Sequence, residues 1–217
     1  MIFESQFQSK GIVEKNIFNE YADVVLQHFQ TQIKRSRKFS AKDLDVLRQA
    51  IYIDSLKSEL PGYVKQIDEV WNIIKKEIPK LPVTWNHGDF NAFNLFRQGY
   101  VDLEFHFTGP LGYDAVSALI TCPYWFPEID LDNQKRKFDL SKSQITALYH
   151  LLQNKFESCF NRTLFKICFE INFILRSIWL TVKLDNWPKL QQWRYKHMIS
   201  IISHFIDAKS LFSLLIE

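Results

Sequence analysis

The sequence predicts a mainly α-helical protein that contains one small β-hairpin region. Glycine and proline are few, six and seven in 217 residues, which favours long helices over a turn-rich β fold. Apolar residues recur at helical spacing along most of the chain, and only a short central part has the alternation typical of strands. With 47% hydrophobic residues the chain can bury a full core. We expect one domain over residues 1–217, with a helical segment at 1–82, a central part at 83–122 and a second helical part at 123–217.

Three helices are predicted in the first segment. Ser40 and Asp43 form a capping signal at the start of the second helix. Pro61 and Gly62 separate the second helix from the third, and further prolines end the third. The predicted ranges are about 12–33, 40–56 and 63–77.

The central part changes to short β-like runs. Residues 83–85 are predicted as a strand, and residues 94–96 and 100–104 as a hairpin around a tight connection at 97–99. Residues 109–112, which hold two glycines and a proline, are predicted as a loop, and residues 113–122 as a helix.

Helices return in the last part, after an irregular stretch at 123–138. Ser141 with Gln144 begins one helix that runs to about Cys159, and Asn161 or Thr163 begins a long one that runs to about residue 184. Another helix is predicted at about 190–206. On the long helix, Phe165, Phe169, Phe173 and Leu180 form a stripe that we expect to lie in the core.

Composition excludes several classes of function. A net charge of +3 is too small to favour nucleic-acid binding. The start of the chain has no signal-peptide pattern, and residues 164–184 carry four charged side chains and cannot span a bilayer cheaply. We expect no membrane partner and a cytoplasmic location. Cys122, Cys159 and Cys168 have no metal-ligand spacing and are interpreted as buried thiols in a reducing compartment.

One segment carries chemistry, namely His87-Gly88-Asp89 followed by Asn94 and then Asp102. The His-x-Asp-x-x-x-x-Asn spacing matches the catalytic loop of protein kinases. Phosphoryl transfer to an alcohol needs a carboxylate that orients the hydroxyl and accepts its proton, and it needs hard oxygen ligands for magnesium. Asp89 fits the base, while Asn94 and Asp102, brought together by the hairpin, fit the metal ligands.

These residues, together with Gly109-Pro110-Leu111-Gly112-Tyr113-Asp114, resemble the aminoglycoside phosphotransferase and choline kinase superfamily. The resemblance implies a protein-kinase-like fold with a helical C-terminal lobe, magnesium-ATP as donor and a small-molecule alcohol as acceptor. It makes Asp89 the catalytic base, Asn94 and Asp102 metal ligands, and Asp114 a brace of the catalytic loop through backbone hydrogen bonds.

Members of that superfamily carry a β-rich nucleotide lobe before the catalytic loop. Here the 86 residues before His87 predict three helices, and Gly11 and Gly62 are the only glycines before Gly88. We therefore expect the chain to begin near the hinge between lobes. A nucleotide lobe from a separate chain, or from sequence lost upstream, would then complete the site. If the protein is not an enzyme, the exposed hinge face favours self-association or a protein partner.

Several residues near the motif have two interpretations. His87 is expected to be a hydrogen-bonded scaffold residue, and Glu104 either lies next to the metal ligands or is an exposed acid. Asn91 either touches substrate or forms the loop, and His106 has no role that we can name. Trp179, Trp187, Trp193 and Tyr195 are expected to pack in the core, although in choline-kinase-like relatives such aromatic residues cage a quaternary ammonium. An acidic loop at Glu128, Asp130 and Asp132 is expected to be solvated, although it would suit a polyamine.

Two functions remain open from the sequence. The first is an ATP- and Mg²⁺-dependent phosphotransferase that acts on a hydroxyl of a small molecule. The second is a non-catalytic remnant of such an enzyme that acts by binding a protein partner. A cation-binding module built on the late tryptophans is a third, weaker interpretation.

Overall fold

The computed structural model describes residues 14–96, 99–125, 140–181, 188–208 and 211, with the backbone alone at 122–125 and 208. The described part is mainly helical, as predicted, and its hairpin and two-stranded sheet hold few residues. Among the described helices, none is both long enough and apolar enough to cross a bilayer.

From residue 14 to the first strand, the α-helices are α1 (Lys15–Arg35), α2 (Ala41–Ala50), α3 (Ile53–Glu59) and α4 (Val64–Glu77). The Ser40–Asp43 capping box is present at the start of α2. The prediction of one helix over 40–56 is wrong at its centre. Tyr52 has a left-handed backbone, φ 56°, which stops α2 and starts α3 in a new direction.

The central part holds two small antiparallel sheets. β1 (Val83–Asn86) pairs with β4 (Phe107–Pro110), so that Val83 lies opposite Pro110. β2 (Leu95–Phe96) and β3 (Gly99–Tyr100) form the predicted hairpin. The prediction that residues 109–112 are all loop is wrong, because residues 109 and 110 belong to β4. Asp102 was expected on the second hairpin strand, but β3 ends at Tyr100 and Asp102 lies beyond it with φ 65°.

The remaining helices are α5 (Tyr113–Trp125), α6 (Lys142–Glu157), α7 (Arg162–Trp179) and α8 (Pro188–Ala208). α5 therefore extends three residues into the stretch that was predicted to be irregular. The Ser141–Gln144 capping box begins α6, and the Asn161 side chain accepts a hydrogen bond from the Leu164 N–H at the start of α7. α7 ends at Trp179, whereas the prediction continued this helix to about residue 184. Residues 182–187 lie outside the described residues.

The core is built around α5 and α7, which pack against each other. Every described side chain of α5 is buried, and α1 and α6 cover its other sides. The stripe Phe165, Phe169, Phe173 and Leu180 is buried, as predicted. Cys168 is also buried, but Cys159 is exposed, which corrects the expectation of a buried thiol; it follows the last turn of α6 rather than facing the core. The Cys122 side chain lies outside the described part.

Candidate active site

The loop between β1 and β2, residues 87–94, lies against the segment that leads into β4. Gly88 has φ 89°, a conformation that side chains rarely adopt. A Cβ atom built there would lie 2.0 Å from the Phe105 carbonyl oxygen. Only glycine permits this close approach, and it fixes the turn on which Asp89 stands.

Asp114, in the first turn of α5, holds the start of this loop. Its carboxylate, which is fully buried, accepts hydrogen bonds from the backbone N–H of His87 at 2.8 Å and of Gly88 at 3.1 Å. Two side chains of α1, His28 and Gln32, also contact Asp114 Oδ2, each at 2.8 Å. Four groups from two elements therefore meet on one carboxylate.

The His87 ring links the loop to the segment beyond the hairpin. Its Nε2 donates to the Val101 carbonyl oxygen at 2.7 Å, and its Nδ1 accepts from the Asp89 N–H at 3.3 Å. Together these bonds require the neutral tautomer with hydrogen on Nε2. His87 is fully buried and acts here as a scaffold residue.

The Asp89 carboxylate is bound by three side chains. Oδ1 accepts from Arg176 Nη2 at 2.6 Å and from Asn91 Nδ2 at 2.9 Å, and Oδ2 accepts from Asn94 Nδ2 at 3.0 Å. Asn91 also accepts a hydrogen bond from the Phe93 N–H, so it shapes the loop as well as binding Asp89. The carboxylate keeps 19% of its side-chain surface exposed.

Opposing effects act on the pKa of Asp89. Burial alone would raise it, but the charge and hydrogen bond of Arg176, with the hydrogen bond from Asn91, outweigh burial, and the pKa of Asp89 lies below its usual value. Burial acts to lower the pKa of Arg176, but Asp89 and Tyr113 together outweigh it, and the pKa of Arg176 lies above its usual value. Asp89 and Arg176 are therefore an ionised pair at neutral pH.

Arg176 was not among the residues that the sequence pointed to. It is fully buried in the last turn of α7, and it also donates to the Gly88 carbonyl oxygen at 2.8 Å and to Thr121 Oγ1 at 3.1 Å. An arginine on an apolar helix, flanked by side chains that all face the core, implies a buried anionic partner. That signal was present in the sequence, but it does not say which acid is the partner.

His28 and Gln32 were also missed. They are four residues apart on α1, so they share one face of that helix. Gln32 Nε2 contacts the Trp85 carbonyl oxygen and Asn86 Oδ1 in addition to Asp114. Two polar residues four apart on a predicted helix were the signal that the sequence offered, but it did not show that both contact Asp114.

Asn94 and Asp102, the two residues expected to bind metal, differ in burial and in their contacts. Asn94 is half-buried, and its Nδ2 donates to both the main-chain and side-chain oxygens of Asp89. Asp102 and Glu104 are exposed in the segment between β3 and β4. Within the described residues no hydrogen bond joins Asp102 to Asp89 or Asn94. The main chains do meet, because the Val101 N–H donates to the Asn94 carbonyl oxygen at 3.0 Å.

The late aromatic residues have partners within the chain. Trp179 covers the Arg176 guanidinium, whose central carbon lies 4.3 Å from the ring centroid. Trp193 stacks on His197, and Trp187 lies outside the described residues. His106 stacks on Trp85 and contacts the Leu103 carbonyl oxygen. The acidic loop at Glu128, Asp130 and Asp132 also lies outside the described residues.

The family model described as the phosphotransferase enzyme family matches residues 22–143. This range covers more than half of the chain and includes His87, Asp89, Asn94, Asp102 and Asp114, whereas Arg176 lies beyond it. No curated protein and no solved structure matched the chain.

Proposed function

The chain belongs to the phosphotransferase enzyme family, and on that basis we propose that it transfers the γ-phosphoryl group of magnesium-ATP to a hydroxyl group of a small molecule. Asp89 would accept the hydroxyl proton. The hydroxyl oxygen would bond to the γ-phosphorus while the bond between that phosphorus and the bridging oxygen of ADP breaks.

The arrangement of Asp89 carries this proposal. A carboxylate offers about four acceptor positions. Arg176 and Asn91 use two on Oδ1, and Asn94 uses one on Oδ2. One position on Oδ2 therefore remains for a substrate hydroxyl among the described contacts, and the partial exposure of the side chain lets a substrate reach it.

Asn94 and Asp102 fit a magnesium ion by their chemistry. The nitrogen of the Asn94 amide is committed to Asp89, which directs the amide oxygen to another partner. An amide oxygen and an exposed carboxylate are hard ligands of the kind that Mg²⁺ takes. Bound there, the ion would neutralise charge on the phosphates, and Glu104 would lie two residues from its ligand.

ATP bound at this site would also need a segment that covers its phosphates. Residues 14–82 supply α1–α4 and 3₁₀ turns, and none of these offers a glycine-rich strand and loop. We propose that the described residues form the catalytic lobe, which by itself binds magnesium-ATP and supports slow phosphate release, and that a separate polypeptide segment closes over the phosphates and strengthens this binding.

A second candidate function is protein binding at the same face. Trp85, Tyr100, Val101 and Leu103 are all exposed large apolar residues in and beside the two small sheets. Clustered exposed apolar side chains are typical of interaction surfaces. A non-catalytic remnant of the family would use this face for a partner and would need neither metal nor ATP.

Calorimetric titration of the chain with magnesium-ATP separates the two functions. The phosphotransferase predicts saturable binding that Asp102→Asn weakens roughly tenfold or more. Asp45→Asn, which changes an exposed acid on α2, is the matched control and should bind as the wild type does. Equal heats from the wild type and Asp102→Asn, or no binding by either, would contradict the metal-dependent function and favour the binding module.

A further inference from the structure

Arg176 contacts both the side chain of Asp89 and the main chain of the residue before it. Nη1 donates to the Gly88 carbonyl oxygen and Nη2 to Asp89 Oδ1, at 2.8 and 2.6 Å. A guanidinium group is planar, so two contacts of this kind fix the carboxylate relative to the loop. A lysine ammonium could keep the charge but could not hold both acceptors in the same geometry.

Two further contacts hold the guanidinium. Nε donates to Thr121 Oγ1 on α5, and Trp179 covers one face of the group. Trp179 also meets the Phe105 ring edge-on at a centroid distance of 5.0 Å. Phe105 is the residue whose carbonyl lies against Gly88. Arg176 is thus fixed by α5, α7 and the segment that follows Asp102.

Resting on the proposed function, we infer that Arg176 is a positioning residue, which turns the Asp89 carboxylate so that Oδ2 faces the acceptor hydroxyl. Arg176 occupies Oδ1, and Asn94 approaches Oδ2 from the other side. Both carboxylate oxygens are therefore held, and the contacts of the described residues leave one position, on Oδ2, for substrate. Misplacing a reacting group by about 1 Å can cost roughly 100-fold in rate.

Phosphate release from magnesium-ATP, with water as acceptor, tests the positioning role. Arg176→Met should lower kcat roughly 100-fold and change KM for ATP less than twofold, since Arg176 contacts Asp89 and not the nucleotide site. Arg176→Lys should recover part of the lost kcat because it returns the charge to the same place. Arg37→Met, which removes an arginine paired with Asp43 away from the loop, should leave both constants unchanged. A parallel change in kcat and KM would assign Arg176 a purely structural role, and full recovery of kcat in the lysine variant would show that charge alone is enough. Either result would overturn the inference.

Denaturant unfolding tests the coupling of the pair without using activity. The variants are Arg176→Met, Asp89→Asn and the double variant, compared with the wild type. If Arg176 acts through Asp89, the double variant should lose less stability, relative to the wild type, than the sum of the losses in the two single variants. Additive losses would overturn the inference. If Arg176→Met does not fold, the same cycle is run with Arg176→Lys.

Failure of the proposed function gives a different result. A wild-type protein that releases no phosphate contradicts the phosphotransferase, while a non-additive unfolding cycle still supports the coupling of Arg176 to Asp89. Phosphate release by the wild type with additive unfolding and unchanged kcat in Arg176→Met supports the phosphotransferase and overturns the role of Arg176.

Discussion

The His87 ring donates a hydrogen bond from Nε2 to the carbonyl oxygen of Val101 at 2.7 Å, across 14 positions of sequence. The bond ties the loop of Asp89 to the segment of Asp102. Because the same ring accepts from the Asp89 N–H, one buried side chain contacts both the proposed base, Asp89, and the residue before the proposed metal ligand Asp102.

Removal of this ring should weaken metal binding more than it weakens the fold around Asp89. In His87→Ala the Val101 carbonyl loses its donor, and Asp102 is no longer held in place. Loss of a group that orients a metal ligand typically costs 10–100-fold in metal affinity, so we expect roughly a tenfold weaker titration of Mn²⁺ in the presence of ATP. His150→Ala, an exposed change on α6, serves as control. Equal Mn²⁺ affinity in His87→Ala and the wild type would show that His87 does not influence metal binding.

Gly88→Ala should destabilise the protein by about 3 kcal/mol or more, because φ 89° strains any other residue and the new Cβ meets the Phe105 carbonyl oxygen. Gly62→Ala is the matched control, since nothing lies within 4 Å of a Cβ at that position. Urea unfolding measures both variants. Similar stabilities for the two would show that the loop relaxes freely around Gly88.

Asp114→Asn replaces a buried carboxylate with an amide that has one oxygen to accept hydrogen bonds. Two backbone donors and two α1 side chains then compete for that oxygen, and the new NH₂ group faces donors. We expect a loss of about 2–4 kcal/mol in the free energy of unfolding. Asp54→Asn, which breaks the exposed pair with Arg48, should cost less than about 1 kcal/mol. A loss in Asp114→Asn no larger than that of the control would contradict the role of Asp114 as the junction of α1, α5 and the loop.

The stability of the segment around α2 should depend on pH through Asp43. The fork of Arg37 lowers the pKa of Asp43 well below its usual range; burial opposes this, and the Ser40 hydroxyl and N–H add to the lowering. The stabilisation is therefore present above about pH 4, where an unfolded aspartate is ionised. It is lost as the pH falls through the lower folded pKa.

Asp43→Asn should consequently lower the melting temperature at pH 7, and the difference from the wild type should shrink as the pH falls from about 4 towards 2. Thermal unfolding followed by circular dichroism at a series of pH values measures this. Asp45→Asn on the same helix is the control. A difference that stays constant to pH 2 would mean that the charge of Asp43 does not stabilise the fold.

Local signals in the sequence predicted most helix starts, because a helix cap depends on two residues that are three positions apart. Ser40 with Asp43 and Ser141 with Gln144 both form capping boxes where they were expected. β4 was missed because Gly109 and Pro110 favour a turn locally. Their strand conformation comes from pairing with Thr84 and Val83, about 25 residues earlier. The residue pattern within the segment itself does not indicate that pairing.

In the candidate site, too, local features could be recognised from the sequence and contacts between distant residues could not. The motif of Asp89, Asn94 and Asp102 is local, so its spacing could be recognised in the sequence, and its role stays a prediction. The partners of Asp89 and Asp114 on other helices could not, because Arg176 is 87 positions from Asp89 and His28 is 86 positions from Asp114. Only the packing of α1 and α7 around the loop brings these groups together.

The most direct measurement of the central claim is the rate of phosphate release from magnesium-ATP by the wild type and by Asp89→Asn. If Asp89 is the base, the variant should lose at least roughly 100-fold of the wild-type rate. Stability is measured alongside, because Arg176 loses its counter-charge, and breaking a buried pair costs about 3–5 kcal/mol. A folded Asp89→Asn protein that releases phosphate at the wild-type rate would contradict the account.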